Sequence, residues 1–431
     1  MNLEEHLFRR ESGRLVAALT RIFGVHNLAL AEDVAQDAFC RALEVWNLRG
    51  IPDNPAAWLM TTAKHRALDV LRRERTARAF ADEIARSLDA DRELTSVVDQ
   101  AFAFDSVRDE QLRMMFSCCH PRLPEETQIA LILNILCGFG ALEIASAFLA
   151  GRAAIEKRIS RGKKTLAATR HLFDLSDAQC GRRLSAVRRA LYLLFNEGYH
   201  GASAETSIRA ELCGEAMRLT ALLGQHPLPA STETAALAAL MYLHAARLPS
   251  RLDDAGDLKS LFDQDRSKWD SHLVARGLEL LEQSASGTDV SVYHVEAAIA
   301  AAHAAAATAA DTDWPTIVAL YDRLMSIGPS PVVALNRAIA VAERDGPESG
   351  ISALQQMADR DRLAKYPFMP AALGELELRR GNRDDARAHF EAALKLARNE
   401  TERRYLHIRV RACRERAPGS DLLMKRDGHP V

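Results

Sequence analysis

Two runs of charged residues set the chemistry open to this chain. Asp33, Gln36, Asp37, Arg41 and Glu44 recur three or four residues apart, so on a helix they project together from one face. Shortly after them, Lys64, His65, Arg66, Arg72, Arg73, Arg75 and Arg78 load a second helical stretch with positive charge, a face that suits a phosphate backbone. A further basic cluster runs from Arg152 to Arg170. Bond-making chemistry has no comparable candidate, because the chain lacks a phosphate loop, a nucleophile motif and metal-ligand spacing. Asp263, Asp265, His294 and His303 fall in separate predicted helices at no fixed spacing; caps, salt bridges and buried histidines account for them. Cys118, Cys119 and His120 invite a metal reading, but adjacent cysteines lack the two-residue gap that turns both thiolates toward one ion. A packed helix end stopped by Pro121 is expected there instead. The sequence therefore predicts a non-enzymatic protein without cofactor or metal.

The elements that must position these faces follow from the apolar periodicity. Leu7, Leu15, Ala18, Leu19 and Ile22 make an inward stripe over about 3–23, broken at Gly24. Leu30, Val34, Ala38, Ala42 and Trp46, flanked by Ala35, Phe39 and Leu43, make one broad buried stripe beneath the acidic face. Asn54 and Pro55 read as an N-cap and first helical residue, opening a helix whose buried side is Trp58, Leu59, Ala63, Ala67, Val70 and Leu71. Farther on, helices are expected at 127–136, 141–149 and 153–166, the last two in helix-turn-helix proportions. Ile144, Ala145 and Phe148 face inward from the first of that pair, and Ile155, Ile159 and Leu166 from the second. The outer face then carries Ala153, Glu156, Lys157, Ser160, Arg161 and Lys164, beside Arg152, Arg158 and Lys163. Such a helix fits the major groove, its first residues reaching base edges while the cations hold phosphates.

Three quoted stretches carry a family resemblance. Ala31-Glu-Asp-Val-Ala-Gln-Asp-Ala-Phe39, Pro55-Ala-Ala-Trp-Leu59, and Arg66-Ala-Leu-Asp69 with Leu71-Arg-Arg73 closely resemble region 2 of bacterial extracytoplasmic-function sigma factors, members of the sigma-70 family. The resemblance implies that Asp33, Gln36, Asp37 and Phe39 bind the beta-prime clamp of core RNA polymerase. It implies equally that Lys64, His65, Arg66, Asp69, Arg72 and Arg73 open and read the minus-ten promoter element, with His65 where the family usually has asparagine. Glu143-Ile-Ala145 and the Ile155 to Lys163 pattern resemble region 4, the minus-thirty-five reader, which also meets the beta flap. By that resemblance Arg152, Ala153, Ala154, Glu156, Lys157, Arg158, Ser160, Arg161 and Lys164 face promoter DNA. The turn Ala150-Gly151-Arg152 and Ala154, in place of the usual threonine, depart from the pattern.

At 431 residues the chain is long enough for several domains. Its net charge of −2 hides the local basic clusters that matter for nucleic acid. Seven cysteines at irregular spacing, without a secretory or membrane-spanning run, point to a reducing, cytoplasmic setting. Residues 1–78 are expected to form region 2 and 79–110 an acidic linker carrying Asp82, Glu83, Asp89, Asp91, Glu93 and Asp99. That linker is either a channel-lining segment, as in the resembled family, or a solvated tether. Region 4 is expected over 111–172, an alanine-rich helical extension over 180–416 and a flexible tail over 417–431. The fold class is thus all-α. Leu373, Gly374, Gly381, Ala386, Phe390 and Ala393 sit at tetratricopeptide offsets, with a looser copy in Leu335, Ala338, Gly350, Leu354 and Met357. Stacked pairs of this kind make an α-solenoid.

This half resembles the tetratricopeptide-like extension of one extracytoplasmic-function subgroup, through Tyr192-Leu-Leu-Phe-Asn-Glu-Gly-Tyr199, Asp263-Gln-Asp-Arg-Ser-x-Trp269, Asp311-Thr-Asp-Trp-Pro315 and Pro331-Val-Val-Ala-Leu-Asn336. The resemblance implies a transcription initiation factor with core RNA polymerase and promoter DNA as partners and no membrane. Its extension serves as a built-in regulator, a docking surface for a regulatory protein, or a scaffold. The rival is a helix-turn-helix regulator whose repeat half senses a ligand or protein and which is no sigma subunit.

Overall fold

The computed structural model describes residues 3–79, 95–102, 104–148, 150–169, 177–200, 208–225, 232–286 and 289–414. Most of the acidic linker and the predicted tail at 417–431 lie outside them. Among the described residues every regular element is helical, and the one strand-like feature is an isolated bridge between Leu252 and Leu258. The all-α expectation holds.

The chain forms two compact units, one of residues 1–198 with 211–230, the other of 199–210 with 231–431. In the first, α1 (Leu3–Phe23), α2 (Leu28–Arg49) and α3 (Pro55–Ala79) pack together. Leu15, Val16, Leu19, Val34, Ala38, Trp46, Leu59 and Ala63 are buried among them. Asn54 caps α3 by accepting a hydrogen bond from the Ala57 amide at 3.0 Å. Leu43, expected beside the buried stripe, is exposed; it lies at the edge of a stripe completed by Ala42 and Trp46, both buried.

α4 (Phe104–Cys118) precedes α5 (Glu125–Leu131), and the helix expected to run evenly to 136 changes pitch: Ile132–Leu136 is a π-helical turn. The Cys137 amide reaches the Ile132 carbonyl at 3.3 Å, five residues back. α6 (Ala141–Ala147) and α7 (Arg152–Ala167) follow as the helix-turn-helix. Two glycines permit the close approaches here. A Cβ on Gly13 of α1 would stand 1.9 Å from the Leu136 carbonyl oxygen, and one on Gly162 of α7 would stand 2.8 Å from Leu131 Cδ1. Region-2-like and region-4-like helices are thereby packed into one unit.

The same unit extends past the helix-turn-helix. α8 (Asp177–His200) sends buried Arg183 to the Phe116 carbonyl at 2.8 Å. α9 (Ala210–Gly224) sends Arg218 to Gln111 at 3.0 Å. The helix at the predicted 180 boundary thus packs with the first unit as far as Gly198.

The second unit is built of α10 (Thr232–Ala245), α11 (Ser271–Ser284), α12 (Val292–Ala305), α13 (Trp314–Ile327), α14 (Pro331–Asp345), α15 (Pro347–Gln355), α16 (Phe368–Arg379), α17 (Arg383–Leu396) and α18 (Glu400–Ala412). Consecutive helices pair, as repeat offsets require. The small residues act as expected: a Cβ on Gly350 would meet Ala342 Cβ at 2.4 Å, and one on Gly374 would meet the Phe390 ring at 3.0 Å. Gly381, at φ +87°, makes the turn between α16 and α17 in a conformation open to glycine. Asp265 and Asp313 cap their helices, and His294 joins a capping box with Ser291. Cys118 and Cys119 are buried at the end of α4, and burial pushes the Cys119 thiol up to about 12.

Candidate polymerase and promoter interface

On α2 the buried stripe Leu28, Ala31, Val34, Ala35, Ala38, Ala42 and Trp46 leaves Asp33, Gln36 and Asp37 exposed on the opposite side. Phe39 is different. It is half-buried, with its ring centroid 4.9 Å from that of Phe8, which also lies 5.6 Å from Trp46. Trp46 meets Trp58 edge-on at 5.5 Å, locking α2 to α3. The aromatic cluster fixes how the acidic face of α2 stands beside the basic face of α3.

α3 buries Leu59, Ala63, Ala67 and Leu68 and exposes His65, Asp69, Arg72 and Arg73. Two of its cations are held by acids. Arg66 Nε donates to Asp37 Oδ2 at 2.9 Å, joining a residue expected at DNA to one expected at polymerase. Lys64 forms an ion pair with Asp99, which lies in the helical segment at 95–101. That segment is anchored by Val98 and Ala101, both buried. Arg75 and Arg78 lie on α3, and their side chains fall outside the described set.

On α7, Ile155, Ile159, Gly162 and Leu166 face inward. Arg152, Ala153, Ala154, Glu156, Lys157, Ser160, Arg161 and Lys164 are exposed along the outer face. Arg152 pairs with Glu156 at 2.7 Å one turn on. Arg158 turns aside: it is half-buried, reaches Glu126 at 2.7 Å and lies 5.8 Å from the Phe148 ring centre. Lys163 pairs with Glu32 of α2 at 2.6 Å, with both side chains about 30% exposed. The pairing of Asp99, a linker acid in the sequence, with Lys64 of α3, and of Glu32 with Lys163 of α7, could not be read from the sequence. The partners lie far apart along the chain, beyond the reach of any helical period.

Residues 7–77 match the family described as Sigma-70 region 2, and residues 113–166 match Sigma-70, region 4. The chain belongs to the sigma-70 family of sigma factors. Its helices beyond region 4 fit the extracytoplasmic-function subgroup with a helical C-terminal extension. Residues 183–285 of this sigma factor match a family of unknown function (DUF6596). An uncharacterised protein of Rhizobium meliloti (strain 1021) is 38% identical over 398 residues, which is 92% of each chain. No solved structure matches. Among the described residues, no helix of the sigma factor is long and apolar enough to cross a membrane.

Proposed function

We propose that this sigma factor binds the clamp of core RNA polymerase through Asp33, Gln36, Asp37 and Phe39. In this reading, Phe39 acts from within the aromatic cluster that sets the helix, while the three polar residues make the contact. The face of α7 from Ala153 to Lys164 positions the minus-thirty-five element, and Lys64, His65, Arg66, Asp69, Arg72 and Arg73 open the minus-ten element. Bond making stays with polymerase. The observation that carries the reading is the placement of an exposed acidic face and an exposed basic face on two helices locked by Trp46 and Trp58. One rigid body can then hold protein on one side and DNA on the other. The second unit acts as a built-in regulator that takes the place of a separate inhibitory protein.

The test is run-off transcription from a promoter obtained by selection, using core polymerase with the full chain and with a chain ending at Gln225. That end point keeps Arg183 and Arg218, whose hydrogen bonds tie α8 and α9 to α4. Initiation by the full chain supports the reading, and higher activity from the shorter one supports inhibition by the second unit. DNA binding without initiation on any selected promoter overturns it in favour of a helix-turn-helix regulator.

A further inference from the structure

The arginines of the second unit are of two kinds. Several arginines there pair with a carboxylate: Arg398 with Glu402 at 2.5 Å, Arg404 with Asp257 at 2.5 Å, and Arg409 with Glu375 at 2.5 Å. Arg247, Arg251 and Arg266 do not. Among the described residues none of the three has an acid within ion-pair reach. Arg251 is 7% exposed and spends its guanidinium on the Tyr199 carbonyl at 2.7 Å and on the Tyr199 ring, 3.9 Å away. Arg266 donates to the His303 and Ala306 carbonyls at 2.7 and 2.8 Å and to Thr312. Arg247 makes one long bond, from Nε to Gln264 at 3.3 Å. Its terminal nitrogens meet no acceptor among the described residues.

Arg247 and Arg266 share one place, and the charge of Arg251 is felt there by Arg247 and by His244. The guanidiniums of Arg247 and Arg266 each lie 5.3 Å from the ring of Trp269. Arg266 is bonded to His303, whose ring stands 5.5 Å from Trp314. Polar atoms here are buried without a partner: His303 Nδ1, Trp269 Nε1 and Arg266 Nε. His303 and Trp269 are each 8% exposed. The nearby acids are committed elsewhere. Asp311 accepts from Thr308, Asp265 from Ser267, and Asp263 from Ser260. Burial, then the arginine charges, holds His244 and His303 at about 3, so both rings are neutral and neither relieves nor adds to the repulsion. Three like charges, one buried and two half-buried, repel one another, and covering a charge is unfavourable unless a counter-charge meets it.

We infer that this cluster is the binding site of a small oxyanion ligand, a molecule bearing a phosphate or paired carboxylates, held by the free fork of Arg247 with Arg251 and Trp269 beside it. The size follows from the setting: Arg251, Trp269 and His303 are buried and Arg247 and Arg266 half-buried, which suits a small anion. The charge decides the class, since a fork of guanidinium donors matches the oxygens of phosphate and carboxylate. The site is independent of the polymerase reading, and its test uses neither polymerase nor DNA.

The experiment is thermal unfolding of the full chain in inorganic phosphate, in malonate, and in chloride at matched ionic strength. Phosphate or malonate is expected to raise the midpoint by about 2–4 °C over chloride; phosphate alone indicates a phosphate-bearing ligand, malonate alone a carboxylate. Arg247→Met is expected to lose that rise and, by removing an unbalanced charge, to melt higher than wild type in chloride. Arg247→Lys keeps the charge and is expected to keep part of the response, which covers the case in which the methionine variant fails to fold. A variant with Lys157→Gln and Lys164→Gln is expected to retain the full response, excluding the DNA-facing helix as the anion site. The inference is overturned if neither anion exceeds chloride, if the rise survives Arg247→Met, or if a folded Arg247→Met melts below wild type in chloride.

Discussion

Replacing Asp99 by Asn should strengthen the hold of this sigma factor on single-stranded minus-ten DNA. Lys64 is tied to Asp99 with side-chain exposures of 30% and 50%, so to reach a phosphate it must first give up that carboxylate. An exposed or half-exposed ion pair contributes about 0.2–1 kcal/mol, and the asparagine removes that competition, which converts to a gain of roughly 1.5- to 5-fold in affinity. Folding should change little, because the segment is anchored by Val98 and Ala101, which the substitution leaves in place. Fluorescence anisotropy of a labelled oligonucleotide with the full chain gives the number. The gain should be largest near 0.05 M salt and shrink toward 0.5 M as screening weakens the pair in wild type. Lys64→Gln should bind more weakly and make Asp99→Asn neutral in the double variant. An unchanged or lower affinity for Asp99→Asn at low salt, or the same gain in the absence of Lys64, would refute the competition.

Other expectations follow from the same geometry. Asp37→Asn should lower core polymerase affinity at least ~10-fold in a competition assay while shifting stability by less than about 1 kcal/mol, since its pair with Arg66 is half-exposed. Gly13→Ala should lower the melting midpoint of the full chain by several degrees, because its Cβ meets a backbone oxygen at 1.9 Å and overpacking costs about 1–3 kcal/mol. His244 and His303 are held at about 3 in the fold, so the unfolded chain takes up their protons first as pH falls below about 6.5. Stability is therefore full above that pH and is lost toward pH 3, by up to about 2 kcal/mol per histidine at pH 5. Denaturant melts of wild type and His303→Gln between pH 7 and 5 check the slope, which should flatten in the variant. Cys40 is exposed while the other six cysteines are buried, so a thiol reagent at neutral pH should label one cysteine in the native chain and seven after denaturation.

Much of this protein was legible in its sequence, because helix formation is local. Asn54 and Pro55 start α3, Gly381 ends a repeat helix, and the apolar spacing of Val34, Ala38, Ala42 and Trp46 names the buried side of α2 before any partner is known. The same periodicity left Asp33, Gln36 and Asp37 on the outer face, and the ordered motifs carried the family. A helical period reports which face is buried, but not what covers it. Arg66 and Asp37 are 29 residues apart, Lys163 and Glu32 131 apart; only chain closure brings them together. The π turn at Ile132–Leu136 likewise arises where α1 presses Gly13 against Leu136, and the sequence there reads as ordinary helix. Arg247, Arg251 and Arg266 could each have been a solvated surface charge. Tertiary packing alone decided that they come together without an acid in ion-pair reach, because the balance of covered charge depends on every helix packed around it.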